Sequence, residues 1–178
     1  MTPEKMTPAR AFMSSTYKGQ FAANQCIDGK IKNTKSGKYN LCHSNREPAP
    51  WIALDYGKEA SVSVEKVVLY NRWDGSWRRT KNVQIRISNE LPTDGKTMFT
   101  GGEALGIFKG PATKGQIVEI HSGPGWKKKT GRYLIIQMNM GKGPNYLNLY
   151  EASAVGITNS KGKVLSILHG VNTTSLCR

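Results

Sequence analysis

An all-β domain, built as an antiparallel β-sandwich, is the fold class this sequence predicts, and three observations predict it. Short apolar or alternating runs are separated by clusters of Gly, Pro, Asn and Asp, the punctuation of strands joined by turns. The segment Val83-Gln84-Ile85-Arg86-Ile87-Ser88 alternates cleanly, which places Val83, Ile85 and Ile87 on one face of a half-buried strand. No long amphipathic helix or internal repeat interrupts the pattern. Two antiparallel sheets packed face to face satisfy all three.

Strands are expected over residues 51–56, 62–70, 83–88, 116–120, 133–138 and 147–157. The first opens on the apolar run Trp51-Ile52-Ala53-Leu54, the second closes on Val67-Val68-Leu69-Tyr70, and the fifth contains Leu134-Ile135-Ile136. Residues 89–114 and 121–129 read as loop-rich, and Val164-Leu165-Ser166-Ile167-Leu168 as one more strand or a segment packing on the domain. A length of 178 residues suits one domain with a real core. We divide it into an N-terminal extension at 1–8, the domain at 9–157, and a C-terminal extension at 158–178 that packs on the domain or is partly flexible.

The chain carries 26 Lys+Arg against 12 Asp+Glu, a net charge of +14, which favours polyanionic glycans or anionic surfaces as partners. Apart from Lys127-Lys128-Lys129 and Arg78-Arg79 the cations are scattered, and no helix-turn-helix, zinc-finger or RNA-binding signature accompanies them, so no specific nucleic acid is expected. No apolar run approaches the span of a bilayer, and the first residues lack the core of a secretory signal; a secreted or extracellular location then requires a signal already removed. Cys26, Cys42 and Cys177 allow at most one internal disulfide and lack metal-ligand spacing. A buried free thiol is the plain reading for Cys26. There is no nucleophile with a paired base, no phosphate loop and no catalytic metal box, so an enzyme is not expected.

The informative motif is Arg72-x-Asp74-x4-Arg79, directly after an apolar run, with a lone His43 upstream. Two guanidiniums and an imidazole present several fixed hydrogen-bond donors to hydroxyl and ring oxygens, while the carboxylate between them orients the arginines and offsets their repulsion. Taken alone, a histidine beside a cysteine is more often structural, and Arg-x-Asp is commonly a local ion pair. The context reverses those odds.

In these residues the chain resembles the F-type lectins, or fucolectins, whose sugar motif reads His, a long gap, then Arg-x-Asp-x4-Arg or Lys. The resemblance extends in order through Ser14-Ser15-Thr16-Tyr17, Ala23-Asn24-Gln25-Cys26-Ile27-Asp28-Gly29, Pro50-Trp51-Ile52-Ala53-Leu54-Asp55-Tyr56-Gly57, Val67-Val68-Leu69-Tyr70-Asn71-Arg72 and Leu149-Tyr150-Glu151-Ala152. It covers roughly residues 9 to 157. Two extra residues fall between Trp51 and Arg72. The resemblance implies a discoidin-like jelly roll, no enzymatic activity, and recognition of terminal fucose or a related sugar through His43, Arg72 and Arg79, with Asp74 orienting.

Two departures accompany it. Many family members follow the Asp with adjacent cysteines that pack against the sugar, whereas here Gly75-Ser76 follow; Trp73, Trp77 or Tyr39 is expected to supply the apolar surface instead. The family also implies a structural calcium held by oxygens that correspond to Asp28, Asn40 and Glu151. Lys30 stands where an oxygen ligand is usual, and we expect its ammonium to replace the ion by pairing with Asp28 and Glu151, with altered calcium binding as the alternative. The competing reading of the whole chain is a degenerate discoidin-like adhesion module that binds a protein, anionic lipid or sulfated glycan through its basic, Trp-rich loop. A single shallow sugar site is weak, so a homo-oligomer or attachment to other modules would raise avidity.

Overall fold

The computed structural model describes residues 1–31, 40–139 and 143–160. Its strands run in chain order as β1 Glu4–Met6, β2 Arg10–Met13, β3 Cys42–His43, β4 Trp51–Asp55, β5 Ala60–Tyr70, β6 Val83–Ser88, β7 Glu103–Phe108, β8 Ile117–His121, β9 Tyr133–Met138, β10 Asn148–Leu149 and β11 Glu151–Ser160. Among the described residues the only helical pieces are 3-10 turns of three or four residues, and no helix is long and apolar enough to cross a membrane.

A four-stranded sheet, β1-β11-β5-β8, faces a five-stranded sheet, β2-β4-β9-β6-β7, with every pairing antiparallel. The core lies between them: Val64, Val67, Leu69 and Val118 from the first sheet meet Ile52, Leu54, Ile85, Ile87, Leu134 and Ile136 from the second. In β5 the inward face switches from Val62 and Val64 to Val67 and Leu69, because the register with β11 shifts between Val155 and Gly156 and leaves Glu65 as the extra residue. Gly156 is required at that bulge, since a Cβ there would overlap the Ser63 carbonyl oxygen.

The continuous apolar runs of β4 and β9 have a second cause. Residues 89–102 fold over the outer face of these strands, where Leu91 and Phe99 cover Trp51, Ala53, Tyr133 and Ile135. Trp51 donates its indole N–H to the Asp94 carbonyl (2.7 Å), and buried Gln137 donates to Ala49 and Thr97 while accepting from Phe99 N. Both faces are thereby dry, and alternation is unnecessary.

Four strands, β1, β2, β3 and β7, fall outside the ranges expected from the sequence. β7 lies inside 89–114, expected to be loop; only Leu105 of it is buried, so this edge strand shows no period. β1 lies inside residues 1–8, set apart above as an extension, and pairs with β11 so that Met6 enters the core. β2 is equally short and exposes Arg10. β11 continues to Ser160. Val164-Leu165-Ser166-Ile167-Leu168 and Cys177 lie outside the described residues.

Where β4 ends, away from the Arg72 loop, Asp55 is 1% exposed and closed in by two arginines. Arg132 donates through Nε and Nη2 (2.7 and 2.8 Å), Arg10 through Nε (2.9 Å), and Gly57 N adds a fourth bond (2.9 Å). Arg132 foremost, then Gly57 N and Arg10, hold the carboxyl well below the usual range despite its burial.

Candidate sugar-binding site

His43 is placed by a short ladder and a disulfide. Cys26 pairs with Cys42, which corrects the free-thiol reading and ties the turn Ala23–Cys26 to β3. Closing a loop of 16 residues removes about 3 kcal/mol of unfolded-state entropy in the chain model. His43 N donates to Phe21 O (3.1 Å), and β3 pairs with β10. Its ring stacks on Tyr17 at 4.6 Å between centroids and meets the Tyr146 ring edge-on at 5.1 Å.

The chemistry of the imidazole follows from its neighbours. Nδ1 lies 2.7 Å from the Ser44 carbonyl oxygen, which cannot donate, so Nδ1 carries the proton. Nε2 is left as an acceptor and faces Arg79 Nη1 at 3.4 Å. Burial first, then the charges of Arg72 and Arg79, lower His43 to about 4, and the ring is neutral at pH 7. Thus His43 turns a lone pair toward the pocket, whereas a donor was expected from the sequence.

The arginines come from the loop after β5. Asn71 anchors it by donating Nδ2 to the carbonyls of Trp77 (3.0 Å) and Thr113 (2.8 Å) while accepting from Thr80 Oγ1 (2.8 Å). Arg72, 8% exposed, donates Nε to Asp74 Oδ1 at 3.0 Å and Nη2 to Asp74 Oδ2, and Ser76 N caps Oδ1 at 3.0 Å. Burial raises the Asp74 carboxyl, but these hydrogen bonds outweigh it and the net direction is down. Arg79 has no carboxylate at ion-pair distance among the described residues; its guanidinium lies 4.5 Å over the Tyr146 ring. Burial and the Arg72 charge push it down from its ordinary value.

These side chains line a pocket of about 260 Å³ whose walls are Tyr17, Phe21, Leu41, His43, Arg72, Arg79 and Tyr146. Polar groups thus converge against an aromatic rim.

No family model matches the chain, and no curated protein matches it. Solved structures do. The lectin domain of lectinolysin, complexed with Lewis B antigen, aligns with a TM-score of 0.62 at 25% identity over 86% of this chain and 97% of that one. A fucolectin from the serum of the striped bass, Morone saxatilis, aligns at 0.67 and 21% identity over 86% of this chain and 49% of its own, so the present chain spans about half of it. A Streptococcus pneumoniae fucose-binding module aligns at 0.60 and 19% identity over 85% and 94%. The last two likenesses concern the fold alone.

This is an F-type lectin-like domain. Several expected residues of the domain lie apart from the pocket. Trp73 is 54% exposed and rests against Gly115, and Trp77 carries the Arg78 guanidinium 4.2 Å over its ring. Neither lines the pocket, whose apolar surface comes instead from Tyr17, Phe21, Leu41 and Tyr146. Tyr39 lies outside the described residues. Tyr17 was visible only as part of an ordered block; Tyr146 arrives through the β3–β10 pairing, which no local pattern announces.

At the turn where the family implies calcium, the acceptors already face N–H groups. Asp28 Oδ1 accepts from Lys30 N (3.0 Å) and Asn40 Nδ2 (3.1 Å), Asn40 Nδ2 also reaches Lys30 O (3.3 Å), and Glu151 accepts from Gly29 N (3.2 Å). The Lys30 ammonium lies 3.6 Å from Asp28 Oδ2 with its side chain 67% exposed. The expected pairing of Lys30 with Glu151 is not formed: the Gly29 N–H takes that place. Among the described residues no group of three or more His, Cys, Asp or Glu could hold a metal, and as placed Asn40 turns its amide nitrogen, not its oxygen, to Asp28.

Proposed function

We propose that the domain binds carbohydrate without chemical turnover and takes a terminal fucose, or a sugar of like shape, in the pocket of His43, Arg72 and Arg79. The observation that supports this reading is the convergence of two guanidiniums and one neutral imidazole on a space the size of a monosaccharide. Arg79 and Arg72 donate to ring and hydroxyl oxygens, while His43 Nε2, which faces Arg79 Nη1 at 3.4 Å, accepts from a hydroxyl that displaces this long contact. A sugar hydroxyl both donates and accepts, so the set matches a polyol better than an anion, which has no proton for His43. The aromatic walls suit C–H faces and a methyl group. Asp74 is engaged by Arg72 and Ser76, and its carboxyl is held below its ordinary value, so it stays ionised as an orienting group, which favours binding over catalysis.

Calorimetric titration with L-fucose and with a fucosylated oligosaccharide tests the proposal. Arg72→Ala and Arg79→Ala should each cost roughly 1.5 to 3 kcal/mol of affinity, the range of a charged hydrogen bond. Undiminished affinity in both variants rejects the pocket. Absence of binding to fucosylated glycans by the natural sequence favours the adhesion-module reading.

A further inference from the structure

The two tryptophans that stand apart from the pocket belong to a second surface. Residues 71–82 and 109–116 are laced into one unit: Asn71 N donates to Gln116 O (3.1 Å), Gly115 N to Arg72 O (2.8 Å), Ala112 N to Thr80 O (2.8 Å) and Asn82 N to Lys109 O (2.9 Å). Together these segments carry six cations against one carboxylate, Asp74, which Arg72 already holds. Arg78, Lys81, Lys109 and Lys114 have no carboxylate at ion-pair distance among the described residues, and residues 32–39, 140–142 and 161–178 contain no Asp or Glu. Among the described residues no carboxylate at ion-pair distance offsets these four cations.

The face is also shaped. A Cβ on Gly115 would come within 2.5 Å of a Trp73 ring carbon, so glycine leaves the room in which that exposed indole lies flat. Arg78 is held 4.2 Å over Trp77 and is exposed. Arg79, the next residue, already faces the pocket, which makes pocket and face contiguous through one peptide unit.

We propose that this face takes an anionic substituent, a sulfate ester or a sialyl carboxylate, carried by the same glycan whose terminal fucose enters the pocket. The proposal rests on the fucose reading of that pocket. Arg78, Lys81 and Lys114 neutralise the anion, and Trp73 and Trp77 offer aromatic surface to the sugar that bears it. A pocket of about 260 Å³ beside the face suits one monosaccharide as the anchor, which favours a glycan over a nucleic acid that would need an extended groove.

Binding of a Lewis-type oligosaccharide is measured beside its sulfated and its sialylated forms, at low and high salt. The anionic form should bind roughly three- to tenfold tighter at low salt, with the advantage shrinking as salt screens it; whichever form gains identifies the source of the charge. In the triple variant Arg78→Gln, Lys81→Gln, Lys114→Gln the advantage should vanish while affinity for the neutral form, which also reports correct folding, stays unchanged. Fucose binding with no anionic preference, or a preference that survives the triple variant, overturns the inference and leaves the pocket reading standing. A sulfated glycan that binds equally with and without its fucose, and is weakened by the triple variant, overturns the pocket reading and supports the anionic face. A single-stranded oligonucleotide that competes as well as the sulfated glycan assigns the face to nucleic acid and overturns the proposal.

Discussion

Both ends of the strands bring two arginines to one aspartate, with opposite results. At the end of β4, Arg10 and Arg132 both close on Asp55, and Gly57 N fills a remaining acceptor position. After β5, Arg72 alone closes on Asp74, and Arg79 turns to His43 and the Tyr146 ring. Saturation fixes the first cluster as structure. In the second, Arg79 has no carboxylate at ion-pair distance among the described residues and keeps donors to offer, so a guanidinium left without an acid next to a cavity is a better marker of function than the presence of charges.

The largest effect should come from breaking the closed cluster. Asp55→Ala removes the acceptor shared by Arg132, Arg10 and Gly57 N; both arginines can then turn to water, so the loss should be about 1.5 to 3 kcal/mol of stability, the range of hydrogen bonds to a charged group. Denaturant unfolding measures it. A loss no larger than about 1 kcal/mol would place Asp55 with surface pairs and dissolve the contrast between the ends.

At the open cluster the arginines should separate stability from affinity. Arg79→Ala removes a half-buried guanidinium without a carboxylate partner, so stability should change by less than about 1 kcal/mol while fucose affinity falls by roughly 1.5 to 3 kcal/mol. Arg72→Ala should lose both, because it also strands Asp74. Equal unfolding midpoints for the two variants would show that Arg72 is not the structural member of the pair.

What could be read from the sequence divides along the same line. Arg72, Asp74 and Arg79 stand within eight residues, and a local loop held by Asn71 keeps them together, so spacing alone carries the information. Strands such as β6 show their face because one side is wet; β4 and β9 show theirs because both sides are covered. The walls of the pocket were not legible. Phe21 and Tyr146 meet His43 through the Cys26–Cys42 bond and the β3–β10 pairing, contacts between segments apart in sequence. The indoles were legible as neighbours of the arginines but not in their placement: Trp73 and Trp77 flank the arginines in sequence, and the loop sets them outside the lining of the pocket.

The neutral state of His43 predicts a one-sided pH dependence. Its folded value of about 4 lies below the ordinary 6.5, so the unfolded chain binds the extra proton between those values. The stabilising contribution is complete above about pH 6.5 and is lost progressively as pH falls toward 4; the integrated change for this group is on the order of 3 kcal/mol. Sugar affinity should hold level from pH 8 to about 5 and drop near pH 4, as Nε2 gains a proton, loses its acceptor role and adds charge beside two arginines. His43→Gln should abolish that drop. Affinity that rises on acidification would mean that the imidazolium is the binding form.

The smallest effect is expected at the Asp28 turn, where the sequence suggested the largest chemical substitution. With the Lys30 side chain mostly in water, its pair with Asp28 should be worth only about 0.2 to 1 kcal/mol, and Lys30→Ala should shift the unfolding midpoint by no more than a few degrees. Asp28 and Glu151 keep their backbone N–H partners in that variant, since Lys30 N and Gly29 N donate whatever side chain residue 30 carries. For the same reason the natural sequence should melt at one temperature in chelator and in excess calcium, since the carboxylates of Asp28 and Glu151 already have N–H partners among the described residues. Lys30→Asn restores a neutral oxygen beside Asp28 and Asn40, and a calcium-dependent rise in that variant alone would show that the lysine charge excludes the ion. A melt of the natural sequence that falls in chelator and recovers with calcium would show that the turn rearranges to bind the metal, with Asn40 Nδ2 giving way to an oxygen.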